Sequence, residues 1–291
     1  LRIKPLGPAN VQIQTLKDKF MKRIALTAAL IFTGSVLYVS CKKDDVADTD
    51  IVSATDNNLC EGEFMRVLPT VNKIAIDEPG VQRNDPYGNP SVQSCPTISI
   101  DTANSFPVVM TIDYGTSCAD PVDGKVRSGR MFIEYSLPWD SVGCVMTVTL
   151  DSFYVGAIHY EGTAVITRNA NNTFRMVLNN GRCTKGGSAP WEVLWATDKT
   201  ITWTSGSQSS STNQVVTITG TNSGTDRNGN TFTATITNPL VRDLSCSWIT
   251  QGTVELEPSG KPMRTIDFGS GGCDNRGTIM IEGNTFEFTM Q

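Results

Sequence analysis

From about Cys60 onward, apolar and polar side chains alternate with a period of two, and almost no stretch repeats apolar residues at helical spacing. Such alternation predicts half-buried strands, because successive side chains on an extended chain point to opposite faces. The clear segments are 108–114, 131–136, 145–155, 162–167, 173–178, 199–204, 214–219, 231–237, 252–257, 278–282 and 285–290. They are rich in Thr, Val, Ile and aromatic residues, which suit a pleated surface. Turn pairs fall between them at Asp123-Gly124, Asn180-Gly181, Asn228-Gly229, Ser259-Gly260 and Gly283-Asn284, where glycine supplies the positive φ of a tight hairpin. The expected fold is all-β: a mostly up-and-down antiparallel sandwich, or a curved extended sheet, made of two related halves. Glycines at Gly162, Gly220 and Gly252 inside the strand pattern predict bulges or bends.

Two stretches lack the alternation. Residues 42–57 are charged and polar without a period, and 41–59 is therefore expected to be a flexible tether. Pro69, Pro79, Pro86, Pro90 and Pro96 punctuate 60–96, which reads as a loop-rich segment leading into a single all-β domain over 97–291.

An internal echo supports the two halves. Thr111-Ile112-Asp113-Tyr114-Gly115 precedes Cys118, and Thr265-Ile266-Asp267-Phe268-Gly269 precedes Cys273. Each copy has a second cysteine upstream, Cys95 or Cys246, and each leads into a glycine-opened strand at Gly129 or Gly277. The repeat predicts two disulfides, Cys95 with Cys118 and Cys246 with Cys273. Cys60, Cys144 and Cys183 stay unassigned: Cys144 with Cys183 is open but has no second copy to support it, and the odd count leaves at least one thiol over. No Cys-x-x-Cys is present, so zinc-ribbon and dithiol redox chemistry lack their spacing.

The beginning of the sequence changes the picture. Met21-Lys22-Arg23 is followed by sixteen uncharged, mostly apolar residues and then Ser40-Cys41. A basic start, a short apolar core and a small residue before the cut describe an export leader over 21–40, and the run is short of the ~20 apolar residues that a spanning helix needs. Residues 1–20 push that leader inward and read as upstream sequence outside the protein proper. Val39-Ser40-Cys41 resembles the box of bacterial lipoproteins, and Ser40-Cys41-Lys42-Lys43-Asp44-Asp45 is similar to the start of mature lipoproteins of the Bacteroidota. The pattern departs from the family in having Tyr38 where leucine is usual. The resemblance implies a diacylglycerol on Cys41, a lipid bilayer as partner and a place at the outer membrane, exposed on the cell surface or otherwise facing the periplasm. The body then resembles an uncharacterised β-rich lipoprotein, a likeness that implies no activity.

Charge and composition narrow the chemistry. The sequence of 291 residues carries a net charge of -5. Residues 1–40 hold six of its 24 Lys and Arg and one of its 29 Asp and Glu, so 41–291 keeps 18 positive against 28 negative residues. An acidic body offers no basic footprint for nucleic acid, and no nucleic-acid partner is expected. The single histidine, His159, rules out sites built from several imidazoles, and no Gly-x-Ser-x-Gly elbow accompanies it. The Asp267–Asn275 stretch concentrates oxygen ligands and glycines without matching a calcium loop, and a disulfide-stapled turn accounts for it equally well. No metal, cofactor or catalytic residue is assigned. A hydrolase of the glycosidase type needs only two carboxylates, and Asp113, Glu134, Glu161 and Asp267 are the candidates for that alternative. Among five tryptophans, Trp139 and Trp191 follow proline and are the candidates for stacking a ligand. The first expectation is a non-catalytic, membrane-anchored binding or structural module whose partner is a glycan or an envelope protein.

Overall fold

The computed structural model describes residues 47–77, 95–101, 106–120, 123–205 and 214–290. The expected upstream extension, leader and acylated Cys41 lie outside these residues. Two helices open the described part, α1 (Val52–Phe64) and α2 (Val67–Asp77). Then follow β1 (Thr97–Asp101), β2 (Val108–Asp113), β3 (Cys118–Ala119), β4 (Val126–Tyr135) and β5 (Val145–Val155). The middle strands are β6 (Ile158–Glu161), β7 (Thr163–Ala170), β8 (Thr173–Lys185), β9 (Trp191–Ser205) and β10 (Val215–Thr225). The last are β11 (Thr231–Asp243), β12 (Gln251–Pro258), β13 (Arg264–Ser270), β14 (Arg276–Ile281) and β15 (Asn284–Thr289).

All fifteen strands belong to one antiparallel sheet, so the curved extended sheet, not the sandwich, is the architecture found. Its order follows the chain, with β6 and β7 acting as two halves of one strand position between β5 and β8. Gly162 separates those halves. The expected bends are present: register shifts fall at Gly220 in β10 and at Gly252 in β12. At Gly220, φ is +131° and a Cβ would stand 2.1 Å from the Asp198 carbonyl oxygen, so only glycine allows this close crossing. Asn180-Gly181 is a correction. It forms no turn but lies inside the long β8, where the register slips between Leu178 and Gly181. A Cβ there would meet the Trp195 carbonyl at 2.7 Å, so this glycine serves close approach and not reversal.

The helices are the larger correction. They stand where a tether and a loop-rich segment are expected, and residues 48–291 form one compact unit that includes them. Local propensity opposes α1, since Asn57, Asn58 and Gly62 all disfavour helix, and tertiary contacts override it. Ten of its thirteen residues are buried, six of them polar, which erases the apolar stripe by which a surface helix is recognised. α2 adds Val67, Leu68 and Val71 to the same core.

The sheet rolls around these helices. Strands such as β9 alternate buried and exposed residues, one face turned to the core. Arg66, just after α1, holds Asp123 ahead of β4 at 3.0 Å and also donates to the Ser247 carbonyl ahead of β12. Those strands are seven places apart in the sheet, roughly 34 Å if it were flat. A single side chain bridges them only because the sheet curls. No helix among the described residues is long and apolar enough to cross a membrane.

The internal repeat is a structural one. In β2 and β4, Ile112 pairs with Met131 and Asp113 with Arg130; in β13 and β14, Ile266 pairs with Ile279 and Asp267 with Thr278. The echoed residues therefore occupy equivalent register positions. Both aspartates cap the same turn: Asp113 accepts from the Gly115 amide at 2.7 Å and Asp267 from the Gly269 amide at 2.8 Å. Cys95 is bonded to Cys118 and Cys246 to Cys273, as the repeat predicts.

Candidate functional site

The inward side of α1 is lined with polar groups, and the sheet supplies a partner for each kind. Its start is tied down by Asp48, which takes Arg264 at 2.5 Å, and by Asp50, which takes Lys261 and accepts the Val52 amide at 2.9 Å. One turn on, Ser53 donates to Asp226 at 2.5 Å and Asp56 receives Arg227, both from the β10–β11 turn. In the middle, Asn57 accepts from the Trp195 indole at 3.0 Å and from Asn222 at 2.9 Å. Glu61 faces Lys199 at 3.1 Å, with side-chain exposures of 1% and 0%. Burial lowers the Lys199 ammonium, and the Glu61 charge opposes that shift.

The last turn of α1 enters a denser cluster. Glu63 takes two nitrogens of Arg127, at 3.0 and 2.8 Å. Arg127 also reaches Asp123 at 2.7 Å and Asp120 at 3.2 Å. Burial raises the Asp123 carboxyl, but the Arg127 hydrogen bond and the Arg127 and Arg66 charges outweigh it and bring Asp123 down to about 2. Arg242 lies fully buried near the same charges, and burial pushes its guanidinium down. Among the described residues, the cluster thus sets Arg66, Lys125, Arg127 and Arg242 against Glu63, Asp120 and Asp123, an excess of one positive charge.

A recess of about 360 Å³ opens on this end of α1. Leu59, Val126, Val155, Ile158 and Tyr160 wall it, and Glu63 and Lys125 are its charged groups. Strand β4 delivers Val126 next to Lys125, and the β5–β6 hairpin delivers the adjoining wall, its Gly156 amide donating to the Val126 carbonyl at 2.9 Å. Lys125 is the cation of this recess: its Nζ is 4.0 Å from Glu63, which Arg127 already engages, and 5.7 Å from the centre of the Trp248 ring. Burial holds its ammonium below the usual range, with the Glu63 charge opposing. A recess of this size, apolar with one convergent cation, suits a small molecule with an apolar body and an anionic end. A second depression, of about 410 Å³, is lined mainly by Thr, Asn and Asp198 on β8–β11, where Asp198 is already held by Arg175 at 2.6 Å.

The residues singled out in the sequence do not gather here. Trp139 is a correction: it is 4% exposed, stacked on Phe174 at 5.2 Å with Arg168 over its ring, so its face is closed to a ligand. Trp191 is half-buried, and the Arg227 guanidinium covers its ring at 4.4 Å. The four carboxylates lie on β2, β4, β6 and β13. Asp113 is held by Arg130 at 3.2 Å and Glu161 by Arg182 at 2.9 Å, while Glu134 and Asp267 are exposed. No two of the four are cross-strand partners. His159 stacks on Tyr154 at 4.4 Å and lies 3.6 Å from Glu161. Asp274 caps its own turn by accepting the Arg276 amide. The recess was missed because Leu59 and Glu63 fall in the stretch read as tether and loop, and only the helix brings them to Lys125. Comparison of the chain with protein-family models, curated proteins and solved structures finds no match.

Proposed function

We propose that this chain is a membrane-anchored, non-catalytic binding module of a bacterial envelope, and that its ligand is a small amphipathic anion seated in the recess at the end of α1. The observation that carries the reading is Lys125: a partly exposed cation that lines an apolar recess, 4.0 Å from Glu63 and within a cluster of four cations and three carboxylates among the described residues. The candidate carboxylates are dispersed and two of the four, Asp113 and Glu161, are held by guanidiniums, which favours binding over hydrolysis. Anchoring is supported by Ser40-Cys41-Lys42-Lys43-Asp44-Asp45 and by the two disulfides, which fit an oxidising compartment.

The test uses natively purified protein titrated with anilinonaphthalene sulfonate, an anionic amphiphile. Saturable binding is expected, weakened about tenfold by Lys125→Gln and by Val126→Trp, with melting unchanged. Absence of saturable binding, or binding by both variants as tight as that of the unsubstituted protein, would overturn the site. Turnover of chromogenic glycosides that Glu161→Gln abolished would overturn the non-catalytic reading in favour of a hydrolase. Mass spectrometry of the mature N-terminal peptide checks the anchor, with a diacylglyceryl thioether at Cys41 expected and a free thiol contradicting it.

A further inference from the structure

Among the described residues, three cysteines remain outside the two disulfides, and all three are buried. Their surroundings differ. Cys144 directs its sulfur at the Leu137 carbonyl, 3.1 Å away. Cys60, on α1, and Cys183, on β8, instead face one another with their sulfurs 3.1 Å apart, and both side chains are fully buried. Sulfur atoms at that distance are closer than non-bonded contact, and a closure of about 1 Å reaches the ~2.05 Å of a disulfide. We propose that Cys60 and Cys183 form a third disulfide in the mature protein, a covalent weld between the central helix and the middle of the sheet.

The placement supports the assignment. Cys60 lies beside Glu61, whose ion pair with Lys199 fixes that turn of α1 against β9. Cys183 is the register partner of Tyr160, and Phe64, one turn beyond Cys60, packs edge-on against Tyr160 at 5.8 Å. Both sulfurs are therefore held by contacts that do not depend on the bond. The step is a two-electron oxidation: each thiol gives up its proton, the S–S bond forms, and an incoming disulfide of the thiol-oxidase class is reduced to its dithiol. That class of oxidant also serves the Cys95–Cys118 and Cys246–Cys273 bonds. Exchange needs a thiolate, and burial drives the Cys60 thiol upward, so the bond forms while the chain is still open and is afterwards shielded from reductant. It joins residues 123 positions apart, against 23 and 27 for the other two, and constrains the unfolded chain most.

The inference rests on export to an oxidising compartment, and the other two bonds report on that independently. Protein purified from envelope without reductant is unfolded in guanidinium with iodoacetamide and mapped by mass spectrometry. The expected result is a linked Cys60–Cys183 peptide, with Cys144 the alkylated cysteine of residues 48–291. Alkylation of both Cys60 and Cys183 in molecules whose Cys95–Cys118 and Cys246–Cys273 bonds are intact would overturn it. As a second readout, C60A/C183A is expected to lower the melting midpoint by roughly 10 °C in non-reducing buffer. A melting difference that persisted unchanged after full reduction of both proteins would assign the loss to packing and overturn the weld.

Discussion

Asp198 and Lys199 are consecutive residues of β9, and the pleat sends them to opposite faces. Outside, Asp198 meets Arg175 at 2.6 Å, with both side chains about half exposed. Inside, Lys199 meets Glu61 of α1 at 3.1 Å, with neither exposed. The two pairs share a chemistry and differ in what their loss leaves behind. Water replaces a partner on the outer face, so such a pair contributes little. No water replaces Glu61 or Lys199, and removing one strands the other charge in the core. The inner face of this sheet is therefore committed to one helix in one register, while its outer face is free to vary.

The largest test removes an inner partner. Lys199→Met is expected to destabilise the fold by about 3–5 kcal/mol in guanidinium titration, with much of that recovered in Glu61→Leu/Lys199→Met. Recovery in the double variant separates a stranded charge from a packing defect.

Acid supplies a gentler break of the inner cluster. Asp123 is held at about 2, below its usual 3.8, so its contribution is complete above 3.8 and lost as pH falls through about 2. Stability should therefore fall on acidification across that window, and Asp123→Asn should flatten this part of the profile. An unchanged profile would mean that the Arg127 and Arg66 contacts do not persist in solution.

Smallest of all is the outer pair. Arg175→Ala should leave the guanidinium midpoint almost unmoved, and added salt should shrink even that difference. A loss comparable to that of Lys199→Met would erase the distinction between the faces.

How far the sequence discloses this arrangement follows from the same contrast. The strands were legible because one face is wet and one dry, which writes a period of two into residues such as 145–155, found as β5. The disulfides and the repeat were legible because cysteines and Asp-aromatic-Gly turns recur at matching positions. Helix α1 was not legible. A helix buried on nearly all sides among polar partners has no apolar stripe, and Asn57, Asn58 and Gly62 speak locally for a loop. Its buried acids make sense only beside Lys199 and Arg127, which lie 138 and 64 positions away. Trp139 misled for a related reason: it follows proline and lies between β4 and β5, but Arg168 and Phe174 enclose the ring and close it to a stacked ligand. The recess inherits this difficulty, since its floor belongs to the helix and its rim to β4 and the β5–β6 hairpin.

Native-state hydrogen exchange tests the central claim, that a polar helix is the core around which the sheet closes. Amides of residues 57–64 should exchange as slowly as those of 193–201 in β9, both released only by global unfolding. Exchange of 57–64 at loop rates while β9 stays protected would contradict the account.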